Sequence, residues 1–339
     1  MDFCYLVNPY YPDDTLIEEL KYNFDTLLRN YPSGLKVNSM LLAKYFSLRE
    51  EMVVPGNGAA ETIKCIIENR EGKLGVISPS FDEYRNRFDS SKLVTMETKA
   101  LGYTYSSHDV ISFFENKGIS TLVLINPDNP SGNLISENEV LSLLNWARDN
   151  EILLIVDESF IDFADNSFTL LKTSILDEYK NLCVIKSISK SYGIPGLRLG
   201  FLASSNLGIT SKLKKDVSIW NINSFAEYYL KIAEKYRGGY ASALKRIKET
   251  RASFYEKLSL IKELYTLPSS ANYFMCRLNK GKAIDLATYL LDKNNILIKV
   301  LTDKRGIDGE WIRIAVRTEE ENNLLVDAVT QYYQRIITN

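Results

Sequence analysis

Short apolar runs recur along this chain, and each is closed by a glycine-rich or polar turn. Leu74–Ser78, Thr121–Ile125, Glu151–Val156 and Leu182–Ile185 are the clearest. Stretches with helical apolar spacing lie between them, most plainly from Glu137 to Asp149. Continuous apolar strands alternating with amphipathic helices call for an α/β fold, a mainly parallel sheet with helices on both faces. In open sheets of this kind ligands gather beyond the carboxyl ends of the strands. The residues that follow each run are therefore the place to look for chemistry.

Leu182–Ile185 leads into Ser187-Ile188-Ser189-Lys190-Ser191-Tyr192-Gly193-Ile194-Pro195-Gly196-Leu197-Arg198-Leu199-Gly200. An unpaired ammonium is costly to bury. A lysine in a partly dry site can instead lose its proton and condense with a carbonyl as a Schiff base. Ser187, Ser189 and the Arg198 guanidinium suit a phosphate dianion. An aldehyde beside a phosphate describes pyridoxal 5′-phosphate. The structural alternative for Lys190 alone is a surface lysine beside a turn, so partner motifs must occur elsewhere.

They do. Val53-Val54-Pro55-Gly56-Asn57-Gly58-Ala59-Ala60-Glu61 has the form of strand, glycine turn and helix start, a place where backbone N–H groups meet an anion. Ser78-Pro79-Ser80-Phe81-Asp82-Glu83-Tyr84 puts Tyr84 on a helix start just past a strand, where it could pack on a flat ring or fill a helix–sheet gap. Asn126-Pro127-Asp128-Asn129-Pro130-Ser131-Gly132 can aim an amide inward. Asp157 closes an apolar strand and needs a partner. A protonated ring nitrogen would supply one; capping the next segment is the alternative.

The rest of the chain bounds the answer. Its 339 residues allow two domains or one large α/β unit. We expect an N-terminal arm over 1–25, a large domain over 26–230 and a smaller α+β domain over 231–339. In the last, Ala271–Leu278, Ile296–Leu301 and Trp311–Arg317 are the expected strands. Arg313 and Arg317 fall on one face by period two, as an anion clamp or as a salt-bridged edge. A net charge of −2 without a basic stripe argues against nucleic acid. The single histidine, His108, lies in a polar loop and leaves no basis for a histidine triad or metal site. Cys4, Cys65, Cys183 and Cys276 form no CxxC pair, and scattered cysteines without a signal peptide fit a cytoplasmic protein. No apolar run approaches membrane-span length. The abrupt start suggests a domain cut from a longer polypeptide.

Taken in order from Tyr31 to Arg317, these motifs resemble fold-type I pyridoxal-phosphate enzymes of the aminotransferase class I/II superfamily. Within it, they resemble the histidinol-phosphate aminotransferase and threonine-phosphate decarboxylase group. The resemblance implies Lys190 as the Schiff-base lysine, Asp157 on the pyridine nitrogen, Asn129 on the phenolic oxygen and Tyr84 stacked on the ring. It implies backbone N–H groups of Gly58, Ala59 and Ala60 on the phosphate, with Ser187, Ser189 and Arg198. Tyr31 would reach the phosphate of a neighbouring subunit, so a homodimer with shared sites is expected. Arg313 would hold the substrate carboxylate, and Asn8 and Arg317 are counted with it as substrate-binding candidates.

Aminotransferases of the group usually carry tyrosine three residues after the ring-nitrogen aspartate. Here that residue is Phe160, and Asp157-Glu158-Ser159-Phe160-Ile161-Asp162-Phe163 looks like the decarboxylase version. The expected activity is decarboxylation of a phosphorylated or phosphono amino acid. Transamination of an anionic amine is the alternative, and a non-catalytic cofactor-binding module is a third reading. Decarboxylases of the group grip the substrate phosphate with a basic N-terminal arm that this chain starts too late to show; Lys186, Lys299 and Lys304 are possible substitutes. A dinucleotide-binding oxidoreductase is disfavoured, because no GxGxxG opens a helix after the first strand.

Overall fold

Period-two alternation along the buried strands sorts the core of the large sheet into two layers. In the computed structural model, which describes residues 1–338, the large sheet contains β1 (Val53–Asn57), β2 (Leu74–Ser78), β3 (Leu93–Glu97), β4 (Thr121–Ile125), β5 (Leu153–Asp157), β6 (Leu182–Ser187) and β7 (Leu199–Ala203). Their order is β1-β7-β6-β5-β4-β2-β3, and β7 alone runs against the others. Leu122 and Leu124 of β4, with Leu154 and Val156 of β5, face one apolar layer. Val123, Ile125, Leu153 and Ile155 face the other, together with Ile63, Ile66 and Ile67 of the helix Ala59–Glu68. Both faces are covered, which is why these strands carry apolar residues at consecutive positions.

This parity decides which way the strand-end residues point. Asp157 and Ser187 continue the odd-numbered set of β5 and β6 toward the face covered by the helix Ala59–Glu68. Lys186 continues the opposite set. The odd direction of β7 also matters. Its first residue lies at the carboxyl end of its neighbours, so Arg198, just before it, joins the same edge as Asp157 and Ser187.

A second sheet, all antiparallel, contains β8 (Leu264–Thr266), β9 (Tyr273–Leu278), β10 (Lys299–Val300) and β11 (Trp311–Ala315) in the order β10-β11-β9-β8. It has its own core, in which Phe254, Phe274, Ile312 and Ile314 are buried. The N-terminal segment ties the two sheets together. Phe3 exchanges backbone bonds with Leu297 and Ala315, while the Asn8 N–H donates to the Lys190 carbonyl at 3.0 Å.

Two helical stretches are interrupted. The stretch Phe225–Leu264 is two helices, Ser224–Ile232 and Arg237–Ser259, parted by a 3-10 turn at Ala233–Tyr236. Gly238 and Gly239 sit inside the first turn of the second helix rather than breaking it. At Gly239 a Cβ would lie 2.5 Å from Asp13 Oδ2, so close approach of the N-terminal segment accounts for that residue. Near the N-terminus the helices Asp14–Tyr22 and Phe24–Arg29 are divided at Asn23, whose amide donates to the Glu19 carbonyl and to the Tyr228 hydroxyl. No helix among the described residues is long and apolar enough to cross a membrane.

Candidate active site

The carboxyl edge of the large sheet brings a carboxylate, two serines, a lysine and an arginine to one cavity. Asp157 is buried. Its Oδ2 accepts the Tyr84 hydroxyl at 2.8 Å and its Oδ1 accepts the Ser159 N–H at 2.9 Å. Burial raises its pKa against those hydrogen bonds and the pull of nearby Lys190. No cation forms an ion pair with it among the described residues. The Ser187 N–H donates to Ser159 Oγ at 3.1 Å, and Ser187 Oγ accepts from the Ser189 N–H at 3.3 Å. Ser189 Oγ is buried without a hydrogen-bond partner.

Lys190 is held with its pKa lowered, first by burial and then by Arg313 and Arg198, against the opposing pull of Asp157. The lowered value favours the neutral, nucleophilic amine. Arg198 has a left-handed backbone, φ 53°, and its carbonyl accepts the Gly58 N–H at 2.8 Å. Gly58 itself has φ 70°, and a Cβ there would come within 2.6 Å of Arg198 Nη2. A Cβ at Gly200 would meet the Ala59 nitrogen at 2.4 Å. Both glycines are thus demanded by close packing of the helix start against β7.

Asp157, Ser159, Ser187, Ser189, Lys190 and Arg198 line one side of a cavity of about 620 Å³, within the range of small-molecule sites, whereas Gly58, expected to offer its N–H to the phosphate, lies outside it with that N–H spent on the Arg198 carbonyl. Ala59, Ala60, Phe81 and Asn129 also belong to that side. The opposite side is formed by Cys4, Tyr5, Lys299, Lys304 and Arg313. Arg313 is largely buried. Its Nη1 donates to Asn129 Oδ1 at 2.7 Å and its Nη2 to the Cys4 carbonyl at 3.0 Å, while Nε has no partner.

The residues fit pyridoxal 5′-phosphate. The free Ser189 hydroxyl, the open helix start at Ala59 and the Arg198 guanidinium suit its phosphate. Unpaired Asp157 suits a protonated ring nitrogen, and the lysine of lowered pKa suits its aldehyde.

Several expected roles change. Tyr84 does not line the cavity. It is buried behind Asp157 and bonds it, and the aromatic that lines the cavity is instead Phe81, which is half-exposed. Tyr84 lies on the short helix Glu83–Asn86, one turn beyond that aromatic, and its side chain joins the apolar layer with Ile63. Asn8 is not a substrate ligand. Its amide donates to the Ser191 carbonyl at 3.0 Å and its Oδ1 accepts from the Tyr10 N–H. The two-arginine clamp also fails. β11 ends at Ala315, and Arg317 turns away to pair with Glu321, Nη2 to Oε1 at 2.8 Å. Lys186 faces the other layer and pairs with Asp162. Tyr31, expected to serve a neighbouring subunit rather than its own, is 79% exposed and stacks on Trp220, outside this chain's cavity. Phe81 and Ser159 were not singled out from the sequence. Phe81 stood in a motif already noted, and the strand-end rule, applied to every aromatic there, would have raised it.

Comparison with known proteins agrees with the geometry. The sequence model for aminotransferase class I and II matches residues 26–329. L-serine phosphate decarboxylase of Sulfurospirillum multivorans is 34% identical over 97% of this chain and 87% of its own length. CMP-5′-(3-aminopropyl)phosphonate synthase of Streptomyces rubellomurinus is 30% identical over 97% of this chain; the match spans only 52% of that longer protein. The solved structure of a decarboxylase from Sulfurospirillum multivorans superposes with a TM-score of 0.90 at 32% identity, covering 98% of this chain and 87% of that one. The histidinol-phosphate aminotransferase from Clostridium acetobutylicum superposes with a TM-score of 0.85 at 26% identity, covering 99% of both chains. With these relatives and this site, the chain belongs to the aminotransferase class I and II family and is a pyridoxal-phosphate-dependent enzyme.

Proposed function

We propose that this chain decarboxylates an amino acid carrying a second anionic group, a phosphate or a phosphonate. The observation that carries this is a pair of like charges. Lys299 of β10 lies directly opposite Arg313 of β11 in the ladder, so both side chains leave the sheet on one face, and both line the cavity. Like charges directly opposite on paired strands repel. Lys299 has no ion pair among the described residues. A substrate with two anionic groups offsets that repulsion, its carboxylate on Arg313 and its distal anion on Lys299. Lys304 lies at the same wall, paired with Asp82. Serine- and threonine-phosphate decarboxylases among the relatives support the reading.

Bound pyridoxal phosphate would supply the electron sink for the bond that breaks. The protein chooses the bond by orientation. Arg313, fixed by Asn129 and the Cys4 carbonyl, sets the direction of the carboxylate. Lys190 is placed to take or return a proton. Phe160, buried and edge-on to Tyr273, lines the cavity without offering a hydroxyl donor.

Incubation of the holoenzyme with O-phosphoserine or O-phosphothreonine tests this. The expected result is CO2 and the corresponding phosphoamine, with no keto acid required. Amino transfer that needs a keto acid and releases no CO2 would instead make the chain an aminotransferase.

The same reading includes a homodimer. Exposed Phe24, Tyr31 and Trp220 form an apolar patch with Phe225, in which Phe24 meets Phe225 and Tyr31 stacks on Trp220. A second copy would cover it, and light scattering on the holoenzyme should give twice the chain mass.

A further inference from the structure

Behind the cavity, on the other face of the sheet, lies a charged cluster that the proposed chemistry does not use. Lys186 is 2% exposed, and its Nζ meets both Asp162 carboxylate oxygens at 2.8 Å. Asp162 Oδ2 also accepts the Ser191 hydroxyl at 2.7 Å. Ser191 Oγ in turn accepts the Tyr240 hydroxyl at 3.0 Å. Ser191 is the residue after Lys190. The Asn8 amide grips the same peptide from another direction, at the Ser191 carbonyl. The Lys190 carbonyl accepts from the N–H groups of Asn8 and Gly193, at 3.0 and 3.2 Å. At Gly193 a Cβ would lie 1.7 Å from the Tyr11 carbonyl oxygen, so the turn packs flush on the N-terminal segment.

The contrast within one residue is sharp. The backbone of Lys190 and Ser191 is held at both carbonyls and at the Ser191 hydroxyl. The Lys190 side-chain nitrogen has no hydrogen-bond partner among the described residues. Burying an ion pair costs desolvation, and an apolar pair of similar volume would serve packing as well. A satisfied polar network fixes one geometry where apolar packing tolerates several.

We propose that Asp162 is a positioning residue for Lys190. Lys186 holds the Asp162 carboxylate in place, and its Oδ2 fixes the peptide that carries the reactive amine. Asn8 provides the second hold. The inference rests on Lys190 being the reactive lysine and on no choice between decarboxylation and amino transfer.

Ser191→Ala and Asp162→Asn test it. Ser191→Ala removes the link and leaves the ion pair; Asp162→Asn removes the charge that sets it. In the apoprotein, backbone amides 189–193 should exchange at least about tenfold faster, while those of β4 and β5 keep their protection. In the holoenzyme, kcat should fall by about 10- to 100-fold, with KM changed less than about threefold, because a misplaced reacting group costs rate rather than binding. Unchanged exchange at 189–193 in Ser191→Ala would overturn the proposal. So would faster exchange spread evenly over the large sheet, the mark of a purely structural role. Should Asp162→Asn fail to fold, Ser191→Ala decides alone. Exchange in the apoprotein reads the hold on the backbone whichever reaction the holoenzyme runs, so failure here and failure of the decarboxylase reading are separate results.

Discussion

The two walls of the cavity are built differently. On the large-sheet wall the framework is fixed by neighbours, Asp157 by Tyr84 and Ser159, Ser187 by Ser159, the Gly58 turn by Arg198, and only the Lys190 amine and the Ser189 hydroxyl are left without partners among the described residues. On the small-sheet wall Arg313 alone is braced on two sides, and exposed Lys299 reaches in from an edge strand without an ion pair among the described residues. Groups that take part in bond-making must be held to a fraction of an ångström on rigid elements. Groups that hold a substrate's charged end need sign and reach, which a long flexible cation supplies. The first wall would therefore hold the cofactor and the proton-transferring amine, and the second would recognise and orient the substrate.

The largest effect should come from the first wall. Lys190→Ala should lower kcat by about 10³- to 10⁴-fold, and borohydride should no longer trap the cofactor on residue 190. Retention of turnover would break the assignment of the reacting amine to this wall. On the second wall, Arg313→Met should lower kcat/KM by about 10²-fold and Lys299→Ala by about tenfold, since buried charge contacts outweigh exposed ones. The Lys299 effect should appear in KM for O-phosphoserine and vanish for serine. An equal loss for both substrates would mean that Lys299 does not recognise the distal anion. Arg317→Ala should leave kcat/KM within about twofold, because that side chain spends itself on a half-buried pair with Glu321 outside the cavity.

Phe81 and Tyr84 sharpen the contrast inside the first wall. Phe81→Ala removes an aromatic that faces the cavity and should weaken retention of pyridoxal phosphate by about tenfold, the scale of one ring contact. Tyr84→Phe removes only the hydroxyl on Asp157. It should cost about 1–2 kcal/mol of hydrogen bonding and shift the pH dependence of the holoenzyme spectrum, with little change in cofactor retention. Spectral titration and dialysis against apoprotein conditions separate the two. Reversed results would restore Tyr84 to the ring.

The difference between the walls also explains what was legible in the sequence. The large-sheet wall follows from one rule, that polar residues ending buried strands meet at one edge, and Asp157, Ser187 and Lys190 obey it directly. The same rule with parity added would have set Lys186 aside, because it is one residue out of step with Ser187. The small-sheet wall depends on register and on where strands stop. Period two put Arg317 beside Arg313, but β11 ends two residues earlier, and the chain turns into the helix Glu319–Thr338. Lys299 gains its meaning only from the β10–β11 ladder, which brings together residues from separate strands. Asn8 was expected on the substrate, and its structural role was illegible for the same reason: its partners, the carbonyls of Lys190 and Ser191, lie far along the chain.

The smallest expected effect on the reaction concerns Asp128, which joins the two walls. Its carboxylate accepts the hydroxyls of Ser80 and Ser131 at 2.9 and 2.7 Å, and its backbone carbonyl accepts the Tyr273 hydroxyl at 2.6 Å. Burial outweighs those hydrogen bonds and pushes its pKa up to about 6. The folded protein therefore keeps a proton that the unfolded chain releases near pH 4. Between those values the native state binds more protons, so stability falls as pH rises, by about 3 kcal/mol for a shift of roughly two units. Asp157 and Glu158, also raised by burial, slope the same way. Asp128→Asn deletes one of these contributions and leaves the others. The apoprotein's urea midpoint should then decline less between pH 4.5 and 6.5 in the variant than in the wild type, whatever the offset between the curves. Parallel curves would mean that Asp128 is ionised throughout. The Ser80 and Ser131 hydroxyls would then be holding a charge at the junction of the two walls rather than a neutral acid.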